Sequence, residues 1–285
     1  MTPLVRRVAD IRYGEVLGYR PLELDLYLPQ ADGPVPVIVY VHGGGWLRGS
    51  RRDPPPLVDA DFYDQIAAQG FAVAAIDYRL SGEARFPAPL EDVRTAVGWV
   101  RDHAASYGLD ASRTFLWGDS SGGHLALLAA LTGTKVQGVV AWFPVTDLAG
   151  LPSDIADAGG VPDAGPDSRE AQFLGGSARS VPDLARDASP VAHVSAGAPP
   201  ILLMHGAADD MVPPAQSIRL ARALSAAGAT VELELVPDAT HFWDGASDVS
   251  GIVSRSIEFL RARSVPAGGL HGHGVLDQCD QGGLG

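Results

Sequence analysis

The apolar positions of the chain fall into two alternating kinds of run. "LELDLYLP", Leu22 to Pro29, switches between apolar and polar, as a half-buried strand near a sheet edge does. "PVIVYVHGGG", Pro36 to Gly45, opens on an unbroken β-branched stretch of the kind that parallel strands buried on both faces show. "FAVAAIDYR", "TFLWG", "VQGVVAWFP", "PPILLMHG" and "VELELVP" read the same way. Between them lie helical patterns. Leu90, Val93, Val97, Val100 and Ala104 recur at spacings of three and four, and Gly108 suits the stop. "AQSIRLARALSAAG" ends at Gly228 by the same logic, and "SGIVSRSIEFLRARS" sets Ile252, Val253, Ile257 and Leu260 on one side. Strands alternating with helices predict an α/β fold with a mostly parallel sheet and helices on both faces.

Two regions break the pattern. Residues 148–200 are rich in Pro, Gly, Asp and Ser and weakly periodic. A connection this long inside a compact domain is expected to be a lid or pocket wall, with a solvated surface insertion as the alternative. The stretch from Val265, "VPAGGLHGHGVLDQCDQGGLG", reads as disordered. The expected organisation is one catalytic domain over residues 1–264 and a tail over 265–285. His271, His273 and Cys279 match no metal-ligand spacing, so no metal site is expected there.

Composition narrows the class. Hydrophobic residues make up 46% of 285, enough for a large core, and the formal net charge is −13. That sign argues against nucleic acid and against anionic membrane surfaces. The single cysteine excludes an intrachain disulfide. The opening "MTPLVRRVADIRYGEV" has no apolar h-region, and no stretch has the roughly 18 apolar residues of a membrane span. A soluble, cytoplasmic protein is the expectation.

The chemistry begins at "TFLWGDSSGGHLALLAAL". Gly118-Asp119-Ser120-Ser121-Gly122 is a G-x-S-x-G between an apolar strand and an apolar helix, the setting of a nucleophile elbow. The turn leaves no room for side chains at Gly118 and Gly122 and presents the Ser120 hydroxyl over the sheet edge. "VHGGGW", Val41 to Trp46, follows a core strand, and its consecutive glycines let N–H groups bend toward a developing oxyanion. A serine nucleophile needs a base, and the base an orienting acid. His241, in the loop after the last apolar strand, is the expected base. His124 lies one turn into the elbow helix and reads as a packing or capping residue; His193 and His205 precede or end strands. "HGAADDMVPP" offers Asp209 and Asp210 as acids, which position alone does not separate.

With these motifs in order, the chain resembles the α/β-hydrolases over roughly residues 10–263. It is closest to esterases with an HGGG oxyanion loop: the hormone-sensitive-lipase-like carboxylesterases and, nearer still, the BD-FAE and arylformamidase-like enzymes. The resemblance implies oxyanion donors from Gly44 and Gly45, joined by the N–H of Ser121. "HGAADDMVP" matches H-G-x-x-D-x-x-V-P and selects Asp209. Two positions depart from the pattern: Ser121 stands where Ala is usual, and Thr240 where Gly usually precedes the histidine. The short segment ahead of the glycine loop implies no large N-terminal cap. Pocket walls are then expected from the insertion, which follows strand 6, and from Trp46, Trp142, Phe143 and Trp243.

The implied activity is a serine carboxylesterase acting on short-chain acyl or aryl esters through Ser120, Asp209 and His241. No cofactor or metal is called for. The expected partner is a small-molecule ester, with a homodimer as an option. An arylformamidase-like amidase and an exopeptidase would use the same three residues. A non-catalytic ligand receptor on a hydrolase fold is the rival of another class.

Overall fold

The structure is a computed structural model and describes residues 5–163 and 165–264. The expected tail 265–285, with His271, His273 and Cys279, lies outside the described residues. Eight strands form one sheet: β1 (Val5–Gly14), β2 (Leu22–Pro29), β3 (Val35–Val41), β4 (Ala72–Ile76), β5 (Leu109–Asp119), β6 (Val139–Trp142), β7 (Ile201–Gly206) and β8 (Val231–Val236). Their spatial order is β1-β2-β4-β3-β5-β6-β7-β8. The first two pairings, β1 with β2 and β2 with β4, are antiparallel; every later pairing is parallel.

Side chains alternate across a strand, so each strand feeds two apolar layers. Val37, Val39 and Val41 face one layer, and Ile38 and Tyr40 the other. The first layer is roofed by α2 (Ala88–Asp102), α4 (Ser121–Leu131) and α8 (Ala215–Ala226). The second is closed by α1 (Phe62–Ala68) and α9 (Val249–Arg263). A sheet covered on both faces explains the unbroken apolar runs of β3 and β4, whose residues are all buried.

Several expectations change in detail. The helix expected to end at Gly108 breaks at His103; a short α3 (Ala104–Tyr107) follows, and Gly108 closes it at φ 69°. β1 carries no clean alternation because bulges shift its register between Val8 and Ile11 and again before Gly14. β2 is not half-buried: β1 extends the sheet past it, and Asp25 is enclosed by Arg51 and Arg52. β8 is only partly buried, as an edge strand should be.

The 148–200 insertion follows β6 and holds α5 (Leu151–Asp157), α6 (Arg169–Leu174), α7 (Pro182–Asp187) and a 3₁₀ turn at Pro190–His193. It is docked rather than draped. Leu148, Leu151, Phe173, Leu174, Ala185 and Ala188 are all buried in the first layer. Gln216 of α8 accepts from the N–H groups of Thr146 and Asp147, 2.8 Å each, and donates to Asp154 at 2.6 Å. Arg219 adds two bonds to the Asp154 carboxylate, at 2.8 and 2.7 Å.

Candidate active site

The end of β5 turns directly into α4. A Cβ on Gly118 would stand 2.5 Å from the backbone of Gly122, and one on Gly122 would run into the carbonyl oxygen of Val41. Only glycine fits either place. Ser120, between them, has φ 51° and ψ −119°, a conformation that costs on the order of 1–3 kcal/mol for a non-glycine residue. Its N–H donates to the Trp142 carbonyl at 2.8 Å, and its own carbonyl accepts from His124 N–H at 2.9 Å. The strained residue is thus pinned on both sides.

His241 Nε2 lies 3.2 Å from Ser120 Oγ, and His241 Nδ1 lies 2.6 Å from Asp209 Oδ2. A carboxylate only accepts, so Nδ1 carries the proton and Nε2 is left to accept from the Ser120 hydroxyl. Burial works to raise the Asp209 pKa, but the imidazoles of His205 and His241 outweigh it and hold the carboxylate down at about 2. Its other oxygen accepts from the N–H groups of Met211 and Val212, at 3.0 and 2.9 Å. Asp210 is exposed and outside this line. His205 is fully buried; it donates from Nε2 to the Val212 carbonyl at 2.6 Å and accepts at Nδ1 from Ser217 at 2.7 Å. Thr240, where the family pattern usually has glycine, sits at φ −92°, a value any residue adopts.

The glycine loop lies alongside. Gly44 has φ 119° and Gly45 φ 65°. The N–H groups of Gly44, Gly45 and Ser121 find no acceptor among the described residues, Ser121 because it is the first residue of α4. Gly43 is held instead: its N–H donates to Asp119 Oδ1 at 3.1 Å, and Tyr40 donates to the same oxygen at 2.7 Å. Burial pushes the Asp119 carboxyl up to about 6, against these two bonds. Trp46 Nε1 donates to His124 Nδ1 at 3.2 Å, and His124 Nε2 donates to the Ala188 carbonyl at 2.7 Å. Burial drives His124 down to about 4, so it is neutral at pH 7. His124 is a packing residue, as expected, and also the hub joining glycine loop, elbow helix and insertion.

The expected pocket walls are placed differently. Trp142 points into the second layer, donating to Ser256 of α9 at 3.0 Å, and Trp243 packs edge-on against it. Trp46 stacks on Phe173 at 4.6 Å. All three are core residues, because the alternation of β6 and the docked insertion bury them. Phe143 alone touches the line, with its ring 4.5 Å from that of His241. A cavity of about 280 Å³ abuts the site, lined by His42, Gly44, Arg48, Asp119 and Phe242 among others. A larger one of about 670 Å³ lies inside the insertion; Ser120, Asp209 and His241 line neither cavity, and only the smaller one reaches the glycine loop and their chain neighbours Asp119 and Phe242. Sequence reasoning missed Asp119, Tyr40 and Phe242. Asp119 had a signal, since it sits inside the elbow motif itself; the other two had none.

Among the described residues there is no group of three or more His, Cys, Asp or Glu placed to hold a metal, and no helix long and apolar enough to cross a membrane. Esterase LipQ of Mycobacterium tuberculosis is 32% identical over 274 residues, covering 89% of this chain and 62% of its own length. The probable carboxylic ester hydrolase LipM of the same organism is 33% identical over 233 residues, covering 73% and 49%. The chain thus spans between about half and three fifths of these curated relatives. A truncated carbohydrate esterase from gut microbiota superimposes with a TM-score of 0.79 at 27% identity, covering 92% of this chain and 97% of that one. The sheet order and the strand–elbow–helix turn are those of an α/β-hydrolase, and the family profile that matches residues 24–224 takes in both glycine loop and elbow: the chain belongs to the BD-FAE family.

Proposed function

We propose that the chain is a serine carboxylesterase for small acyl or aryl esters, with residues 1–264 as its catalytic domain. The observation that carries this reading is the unbroken hydrogen-bond line from Ser120 through His241 to Asp209. Ser120 Oγ attacks the ester carbonyl carbon while His241 Nε2 takes the hydroxyl proton. The carbonyl oxygen gains the negative charge and is met by the N–H groups of Gly44, Gly45 and Ser121. Asp209, ionised down to about pH 2, keeps the imidazole in the required tautomer and stabilises the imidazolium. Collapse breaks the bond to the alkoxy oxygen, which leaves as alcohol with the proton from His241. Water then gives its proton to His241 and attacks the acyl-enzyme, and the proton returns to Ser120 as the carboxylic acid departs.

The names of the relatives, esterases and ester hydrolases, support the reaction class. The small cavity beside Gly44 supports a short acyl or compact aryl group over a long lipid chain. The test is hydrolysis of p-nitrophenyl acetate and butyrate by wild type and Ser120→Ala, with formanilide and aminoacyl-anilide substrates alongside. The expectation is ester turnover lost by about 10³-fold or more in the variant. Retention of the wild-type rate by Ser120→Ala would overturn the mechanism; faster formanilide cleavage would move the enzyme to the amidases.

A further inference from the structure

Two arginines flank the glycine loop without an ion pair to a carboxylate among the described residues. Arg169, the first residue of α6, lies across Gly45: its Cδ and Nε stand 2.6 and 3.4 Å from where a Cβ on Gly45 would be. Its Nη1 is 3.6 Å from the Met211 sulfur, in the loop that follows Asp209. One side chain therefore spans from the oxyanion loop to the acid loop. Arg48 lies against Gly44, with Cγ 3.2 Å from the corresponding Cβ position, and lines the 280 Å³ cavity.

Neither side chain forms an ion pair within 4.0 Å among the described residues. Arg51, Arg52, Arg79 and Arg219 each hold one or more carboxylates, whereas Arg48 and Arg169 are exposed beside the glycine loop. Acids are not scarce, since 34 face 21 basic residues. Asp53 lines the same cavity as Arg48 yet bonds the Ser50 hydroxyl, and Glu170 follows Arg169 without pairing to it. At long range the net charge of −13 repels an anion. Arg48 and Arg169 bring two positive charges to the glycine loop, against Asp53 and Asp119 at the same cavity. The guanidinium fork suits the two oxygens of a carboxylate.

Resting on the esterase reading, we infer that the preferred substrate is an ester that also carries a carboxylate, bound by Arg169 and Arg48 while the ester carbonyl meets the glycine loop. The carboxylate can belong to the acyl part or to the alcohol, and the chemistry of recognition is the same. The test compares kcat/KM for p-nitrophenyl hydrogen glutarate with its methyl ester, and for 4-acetoxybenzoate with its methyl ester. The first pair reads the acyl side and the second the alcohol side. At least one charged ester should be favoured about tenfold over its neutral partner, with the preference shrinking in high salt. Arg169→Gln and Arg48→Gln should each cut that ratio several-fold, Arg169→Lys should restore part of it, and Arg222→Gln on α8 should leave it intact. Hydrolysis of neutral esters with no preference for either charged one overturns the inference and leaves the esterase standing. If no ester is cleaved, the esterase reading falls. The dissociation constants of glutarate and benzoate for wild type against Arg169→Gln then decide the carboxylate site, equal values overturning it.

Discussion

The carboxylate of Asp119 accepts from Tyr40 and Gly43 while fully enclosed, and so carries a pH signature of its own. Its pKa stands at about 6 in the fold against an ordinary 3.8. The folded chain therefore holds this proton over a range where the unfolded chain has released it, and Asp119 loses stability for the fold as pH rises from about 4 to about 6. Asp119→Asn has no such proton. Its stability relative to wild type should climb across that window by about 3 kcal/mol, a value read from urea denaturation at several pH values. A flat difference would place the Asp119 charge elsewhere. Ser121 tests backbone against side chain at the neighbouring position. Its buried hydroxyl meets no partner in hydrogen-bond geometry among the described residues. Ser121→Ala should keep most turnover in an ester assay and cost no stability, because it removes an unsatisfied group and leaves the N–H in place. At this scale the sequence was legible where steric demand is local. Ser120 stands out because glycines bracket its turn. Asp209 and Asp210 were separated only by family pattern, since which of two adjacent acids faces inward depends on the path of a loop. Trp142 and Trp243 were misread because a large aromatic beside a motif gives no sign of which sheet face receives it.

Besides Arg169 at Gly45 and the Asp154 contacts to α8, a ring stack and an imidazole hold the insertion to the glycine loop and elbow helix. Phe173 of α6 lies on Trp46, and His124 of α4 bonds both Trp46 and the Ala188 carbonyl. Because burial lowers His124 to about 4 from an ordinary 6.5, stability present above about pH 6.5 is lost as pH falls toward 4. Protonation also removes the acceptor that Trp46 uses. His124→Gln should flatten that part of the acid denaturation curve, monitored by tryptophan fluorescence. Phe173→Ala opens a cavity at a fully buried ring and should cost about 3–5 kcal/mol in a single unfolding transition. A separate early transition would instead mark the insertion as an independently opening lid. Helices α2, α8 and α9 were readable because each is twelve or fifteen residues long, enough turns to repeat an apolar stripe. α5, α6 and α7 have six or seven residues each and no room for periodicity. β1 was missed because its bulges break the alternation that reveals a strand.

Across the whole molecule, one buried arginine ties the antiparallel end of the sheet to the loop that follows the glycines. Arg51 bonds Asp10 and Glu23, Asp25 at 2.8 Å, and Asp77, joining β1, β2 and the end of β4. Burial alone would weaken its charge, but Asp25 and Asp77 outweigh that and hold its pKa above the ordinary value. Arg51→Met should cost about 3–5 kcal/mol, since it strands buried carboxylates without a counter-charge. Adding Asp25→Asn should recover part of the loss, as a denaturation cycle would show. Fold class was legible from alternation of strands and helices; the strand order was not, since pairing is set by contacts distant in sequence. The two edges of that sheet also bear on how the protein behaves when concentrated. β1 has Arg6, Arg7 and Arg12 along it and a kinked register, and β8 has Glu232 and Glu234 clasped by Arg255 and Arg263. A second molecule approaching either edge to continue the sheet would have to strip water from charged side chains and match a bent ladder. The fold is thus closed to strand-by-strand polymerisation at both ends, and a crowded solution of it should stay free of fibrils.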